Sequence, residues 1–318
     1  MSERFTRRDV LRRGAGFGAI AAASTGQHVR ANEACCAASK KEAAFRISLN
    51  TSTLRGNKLP LVEVIEIAAK AGYRGIEPWV DELDRHVESG GTLKDAAARL
   101  RDRGLAVTGA IAFFRWMVDD EAERAKGLDE AKRRMEQLAA IGATHLAAPP
   151  AGDVKGVDLL QAAQRYRALL ELSEPFGVVP AVEIWGAAAN VCRLGQAVSI
   201  ALEAKHPKAC ILPDVYHLYR GGSGLEGVRL LNAKILAGFH LNDYPADPPR
   251  EQLRDAHRVY PGDGVGPLKQ LFRDLRDIGY EGALSVELFN PDYYKQDPMV
   301  VAKAALAKTQ AVMRAALG

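Results

Sequence analysis

The chain of 318 residues is poor in cysteine, holds no long apolar run, and carries no net charge outside its first segment. Each shortage excludes a class of protein. Four cysteines (Cys35, Cys36, Cys192 and Cys210) cannot staple a chain this long, and the absence of any Cys-x-x-Cys spacing removes zinc knuckles and redox pairs. The thiols are expected to be structural or incidental. Basic residues exceed acidic ones by four, but residues 1–31 contain six of the 43 basic and two of the 39 acidic side chains, which leaves 37 of each in the body. A neutral body gives no electrostatic reason to expect nucleic acid or anionic lipid as a partner. The Gly/Ala-rich stretch from Gly14 to Ala23 is too short and too small-sided for a permanent membrane helix, so stable membrane insertion is not expected.

What the first segment does contain is patterned. Thr6-Arg7-Arg8-Asp9-Val10-Leu11-Arg12, followed by that weakly apolar stretch, resembles a twin-arginine export signal. The expectation is a signal peptide over residues 1–31, cut after Ala31 in preference to Ala23, a flexible segment over 32–44, and one folded domain over 45–318. The twin-arginine machinery would be a partner, and the protein would be periplasmic or exported. Export in the folded state suits a protein that acquires a metal before it crosses the membrane.

From Phe45 onward short apolar runs alternate with longer amphipathic ones. Strands are expected at Phe45–Asn50, Gly75–Glu77, Ala106–Ile111, His145–Ala148, Val179–Ile184, Cys210–Pro213, Ile235–Leu241 and Gly282–Glu287. Helical spacing separates them, as in Leu61-Val64-Ile65-Ala68 and Leu271-Leu275-Ile278. Gly72, Gly142, Gly177 and Gly279 each stand where a helix should stop before a strand. A last helix over about 300–316 would close against the first. Eight strictly alternating units fit an α/β fold of the (β/α)₈ TIM barrel type. An open doubly wound sheet is the alternative, but it gives no reason for acids at so many strand ends.

Those acids are the candidate chemistry. Glu183, Asp214, His240 and Glu287 each fall where a predicted strand leaves the core. Singly, such residues are ordinary surface acids or a satisfied core histidine; together they would converge on the face where barrel active sites lie. Three carboxylates and one imidazole suit one divalent ion, Mn²⁺, Zn²⁺, Co²⁺ or Mg²⁺, rather than a thiolate-loving one. Phe113, Phe114, Trp116 and Trp185 are candidates for the walls of a pocket or for core. Gly221-Gly222-Ser223-Gly224 lacks the spacing and the lysine of a phosphate loop, and with no basic cluster beside it a phosphorylated substrate is disfavoured.

Gly75-Ile76-Glu77, Ile111-Ala112-Phe113-Phe114, Val182-Glu183-Ile184-Trp185-Gly186 and Asp214-Val215-Tyr216-His217 belong to a recognisable pattern. Leu253 to Gly264 and Ser285 to Tyr294 are its most specific stretches. With these segments the body resembles the xylose-isomerase-like sugar isomerase and epimerase barrels, and within them the inosose (2-keto-myo-inositol) isomerases. The resemblance implies metal ligation by Glu183, Asp214, His240 and Glu287, catalysis by Glu183 and Glu287, and substrate contacts from His217, Arg258 and Glu77. Glu77 matches a position near the site. It further implies a metal-dependent isomerase of an unphosphorylated polyol ketone, an inosose or ketose. A proton would leave the carbon beside the carbonyl, a cis-enediolate would form, and one glutamate would take the proton that the other returns.

Two departures bear on the substrate. Ala187-Ala188-Ala189 stands where inosose isomerases carry polar residues, and the export signal is unexpected for inositol breakdown. A sugar epimerase, a dehydratase of the 3-dehydroshikimate type and a non-catalytic sugar-binding barrel are the alternatives. A metal-dependent abasic-site endonuclease shares the fold but would need more ligands and a basic groove. Assembly into homo-oligomers is left open.

Overall fold

The computed structural model describes residues 45–318; the expected leader, the expected segment over 32–44, Cys35 and Cys36 lie outside the described residues. Eight strands follow in chain order: β1 (Arg46–Asn50), β2 (Gly75–Glu77), β3 (Ala106–Val107), β4 (His145–Ala148), β5 (Val179–Glu183), β6 (Ile211–Leu212), β7 (Phe239–Leu241) and β8 (Ala283–Val286). All ladders are parallel, in the orders β3-β2-β1-β8-β7 and β4-β5-β6. The two arcs meet at both ends. Parallel bridges Ile211–Leu236 and Asp214–His240 join β6 to β7, and Ala147 N donates to Ala110 O beside β3 and β4. The α/β expectation of a TIM barrel is met.

Between the strands run α1 (Leu61–Ala71), α2 (Val80–Glu88), α3 (Leu93–Asp102), α4 (Glu121–Ala140), α5 (Leu159–Ser173), α6 (Leu194–Glu203), α7 (Val215–Arg220), α8 (Leu268–Asp277) and α9 (Pro298–Leu317). Their starts follow local chemistry. Asp158 caps α5 by accepting from Leu160 N and Gln161 N, while Gln161 reaches back to Asp158 N. α8 buries Leu268, Leu271, Phe272 and Leu275, one face of a 3.6-residue period, against the sheet core. Gly72 ends α1 at φ 102°, a conformation only glycine takes without strain. The ring closes as expected: Tyr73, just past α1, donates to Ala302 O of α9 at 3.1 Å.

Two strand lengths differ from expectation. The run Ala106–Ile111 is a regular strand only over its first two residues. Thr108 N still donates to Ile76 O, and Gly109 passes so close to Glu77 that a Cβ there would lie 2.7 Å from Oε1. The run rejoins its neighbour at a parallel Trp79–Ile111 bridge. The run Ile235–Leu241 is a strand only from Phe239, because Asn232 caps a tight turn over 233–235 through Lys234 N.

Most of the core lies between sheet and helices. A second, small cluster of Ile111, Ala147, Ala181, Cys210 and Leu212 fills the barrel itself. Tyr166 of α5 ties two strands together from outside: its hydroxyl lies 2.8 Å from Pro180 O and 2.9 Å from Cys210 O, and it accepts from Cys210 N. None of the helices among the described residues is long and apolar enough to cross a membrane.

Candidate active site

Strand alternation explains why polar groups meet inside the barrel mouth. Successive side chains point to opposite faces. Leu49, Ile76, Val182 and Val286 pack outward under the helices, so Asn50, Glu77, Glu183 and Glu287, each one residue further on, point inward. On β7 the outward pair Phe239 and Leu241 turns His240 inward by the same rule. Asp214 follows β6 and caps α7, its Oδ1 accepting from His217 N at 2.7 Å.

The four expected ligands converge. His240 Nδ1 lies 3.4 Å from Glu287 Oε2, 3.7 Å from Glu183 Oε1 and 3.9 Å from Asp214 Oδ2. Donors about 2.0–2.2 Å from one tetrahedral ion would stand roughly 3.3–3.6 Å apart. Donor atoms of Asp214, His240 and Glu287 all fall within 4.8 Å of one another. Glu183 Oε2 and His240 Nδ1 are buried without a hydrogen-bond partner, as donors reserved for an ion would be. The residues therefore fit a divalent metal. Glu77, expected to contact substrate, instead lies behind the imidazole and outside the cavity lining: His240 Nε2 is 3.1 Å from Glu77 Oε2, at an angle that does not complete a hydrogen bond.

Arg258 is more central than a substrate contact alone. Its Nη1 donates to Asp214 Oδ2 at 2.9 Å and to Glu287 Oε2 at 2.7 Å, and its Nη2 donates to Asp255 at 2.5 Å. The buried guanidinium lies 4.5 Å from the Tyr216 ring centre and 5.0 Å from that of Phe289. His217 joins it, with Nε2 at 3.1 Å from Nη2 and Nδ1 accepting from Gly186 N. A side chain at Gly186 would strike His217 O at 2.4 Å, which explains the glycine there.

Burial sets the charges, and neighbours then modify them. Burial, with the repulsion of Glu287 and Asp214, pushes the Glu183 carboxyl up to about 8. Glu287 is raised by burial as well, against the pull of His240 and Arg258. Burial also acts upward on Asp214, but Arg258, His217 and His240 outweigh it and hold that carboxyl below its ordinary value. Glu77 is likewise held low by His240 and by hydrogen bonds, despite burial. Burial works to lower His240, yet Glu287, Glu77 and Glu183 keep it well above the usual imidazole range. Burial brings His217 down to about 4, so it is neutral at pH 7.

Some of the site was not anticipated. Asn50 donates to Glu77 Oε2 (2.9 Å) and to Glu287 Oε1 (3.2 Å), and so bridges two acids. Asn242 donates to Asp214 Oδ2 at 3.0 Å. A cavity of about 570 Å³ opens above the acids, bordered by Glu183, Glu287, His217 and Arg258 at one end. Phe113 and Trp185 wall it together with Trp79 and Phe289, which the sequence did not single out. Phe114 and Trp116 are core residues; Trp116 is wholly buried and donates to Pro149 O.

A family model described as the xylose isomerase-like TIM barrel matches residues 65–315. An inosose isomerase of Halalkalibacterium halodurans is 30% identical over 278 residues, spanning 85% of this chain and 96% of the relative. A fructoselysine 3-epimerase of Escherichia coli O157:H7 is 24% identical over 80% of this chain and 94% of its own length. A crystal structure of IolI protein with a zinc atom is 26% identical with a TM-score of 0.79, covering 85% of this chain and 99% of that one.

Metal and protons compete for the same atoms here. Glu183 is raised to about 8 and His240 well above its usual value, so an ion has to displace protons from this cluster. Zinc binding is expected to release protons at about pH 7, with apparent affinity rising as the pH rises toward about 8. Calorimetry in buffers of different ionisation enthalpy counts them; pH-independent affinity with no proton release would contradict this balance.

Proposed function

Because the chain belongs to the xylose isomerase-like TIM barrel family, we propose that it is an isomerase or epimerase of an unphosphorylated polyol ketone, an inosose or ketose. The convergence of Glu183, Asp214, His240 and Glu287 beneath one cavity, with two glutamates open to it, is the observation that carries this reading. When held by those four side chains, a divalent ion would supply Lewis acidity to the substrate's carbonyl and hydroxyl oxygens.

The chain's own residues do the rest. Glu183 and Glu287 flank the reacting carbons from the cavity floor, one to remove the proton beside the carbonyl and the other to return it. Glu183 Oε2, buried and unpartnered, is free to carry a proton. Arg258 neutralises Asp214 and Glu287 and presents positive charge to substrate oxygens. His217, neutral and held by Gly186 N, orients the substrate beside it. Glu77 sets the His240 ring from behind, as carboxylates behind metal-binding histidines do. Return of the proton to the same carbon from the opposite face gives epimerisation, and return to its neighbour gives isomerisation; the inosose isomerase likeness favours the second.

Two further readings belong with this one. We propose a cut leader and a body outside the cytoplasm, on the pattern around Arg7 and Arg8. Replacing both arginines by lysine should leave unprocessed protein in the cytoplasm; normal export of that variant would remove the twin-arginine reading.

The catalytic reading is tested by solvent exchange. Metal-loaded protein incubated in D₂O with a panel of inososes and ketohexoses should introduce deuterium at carbon in at least one of them. Glu183→Gln and Glu287→Gln should lower turnover about 10²–10⁴-fold with metal retained. Glu77→Gln should instead weaken metal affinity about 10–100-fold. Exchange at the wild-type rate in both glutamine variants would reduce the pair to ligands alone.

A further inference from the structure

The cavity above the acids is divided by chemistry. At one end Glu183, Glu287, His217 and Arg258 gather every group that the proposed reaction uses. Away from that end, Asp153 and Lys155 of the loop after β4 also border the cavity, and the rest of the lining is mainly aromatic and aliphatic. Trp79, Phe113 and Trp185 form a continuous row, with ring centres 5.3 Å apart between Trp79 and Phe113 and 5.7 Å between Phe113 and Trp185. Ala187, Ala188 and Ala189 extend that surface along the loop after β5.

The wall is built rather than loose. Trp79 Nε1 donates to Asn50 Oδ1 at 3.0 Å, and Arg55 lies 4.4 Å above the indole. The alanine loop is pinned at both ends: Trp185 N donates to Val191 O, and buried Asn190 donates to Val157 O at 3.2 Å. Phe113 nevertheless remains 48% exposed, a large aromatic surface left open over a fixed site.

The size of the cavity points the same way. About 570 Å³ corresponds to roughly nineteen waters at about 30 Å³ each. A six-carbon polyol ketone has only about a dozen non-hydrogen atoms, whereas cavities of roughly 300–1,000 Å³ take larger, partly apolar ligands. A polyol seated over the acids would leave the aromatic and alanine wall wet. Bare polyols also need hydroxyl partners, and along the loop after β5 Ala187, Ala188 and Ala189 supply none.

We propose that the substrate is a cyclic polyol ketone carrying one uncharged apolar substituent, aromatic or of similar bulk. The ketone ring lies over Glu183 and Glu287, and the substituent packs against Trp79, Phe113, Trp185 and the alanine loop. The reactive ring is taken from the function proposed above; the substituent follows from the wall alone.

The test compares inososes with their mono-O-benzyl ethers on the metal-loaded protein. Binding is read by quenching of tryptophan fluorescence, which does not depend on turnover, and exchange is read as deuterium uptake from D₂O. At least one benzyl ether should bind about tenfold or more tightly than its parent and exchange with a correspondingly higher kcat/KM. Ala188→Gln, which puts an amide into the wall, should cut that preference at least about fivefold. Equal or weaker binding of every benzyl ether to the wild-type protein would overturn the proposal, as would a preference that Ala188→Gln leaves intact. Preferential binding of a benzyl ether with no deuterium uptake from any ketone would uphold the apolar wall and overturn only the isomerase reading.

Discussion

Four carboxylates buried around one imidazole and one guanidinium set the terms for the rest of the molecule. Buried charge is costly unless it is paired and hydrogen-bonded, and here the pairing is nearly complete. Arg258 bridges Asp214 and Glu287, Asn50 bridges Glu287 and Glu77, and Glu77 backs His240. The exceptions among these groups are Glu183 Oε2, both ring nitrogens of His240 and Arg258 Nε, and His240 Nδ1 faces the Glu183 carboxylate at the point of convergence. Strain of this kind is spent where function needs it.

The surrounding fold holds that arrangement in register. Arg258 can balance the acids only if its loop is fixed, and Asp243 fixes it. Val259, next in the chain, pairs with Asp243 through two backbone hydrogen bonds. The Asp243 carboxylate accepts from the amides of Gly262, Gly264 and Gly266, closing the loop on itself. Inside the barrel, small residues such as Ala147 and Ala181 lie below, while Ser48 and Thr108 satisfy one another at 2.7 Å. Rigid strands and a closed loop give the precision that metal ligation demands.

Much of this was legible in the chain because the barrel obeys local rules. Period-two alternation and a carboxylate or imidazole at the end of an apolar run located Glu183, His240 and Glu287, and the structure brings all three together with Asp214. Strand ends were less legible where regular pairing lapses inside an apolar run, as it does around Gly109, packed against Glu77, and before Phe239, where Asn232 caps a tight turn. Asn50 obeys the same strand-end rule as the acids and was findable by it; an amide simply carries no charge to draw attention. The pocket wall was only half legible, since Phe113 and Phe114 are neighbours whose fates differ by the face on which each falls. One is open to the cavity and the other lies in the core. Trp79 reaches the wall through its bond to Asn50, a contact between residues 29 apart that no local pattern encodes.

Crystals of the zinc-loaded protein examined by anomalous scattering at the zinc edge test the central claim most directly. A single peak should lie about 2.0–2.3 Å from donor atoms of Glu183, Asp214, His240 and Glu287, beside the Arg258 guanidinium. A zinc site elsewhere on the chain, with these four side chains uncoordinated, would contradict it.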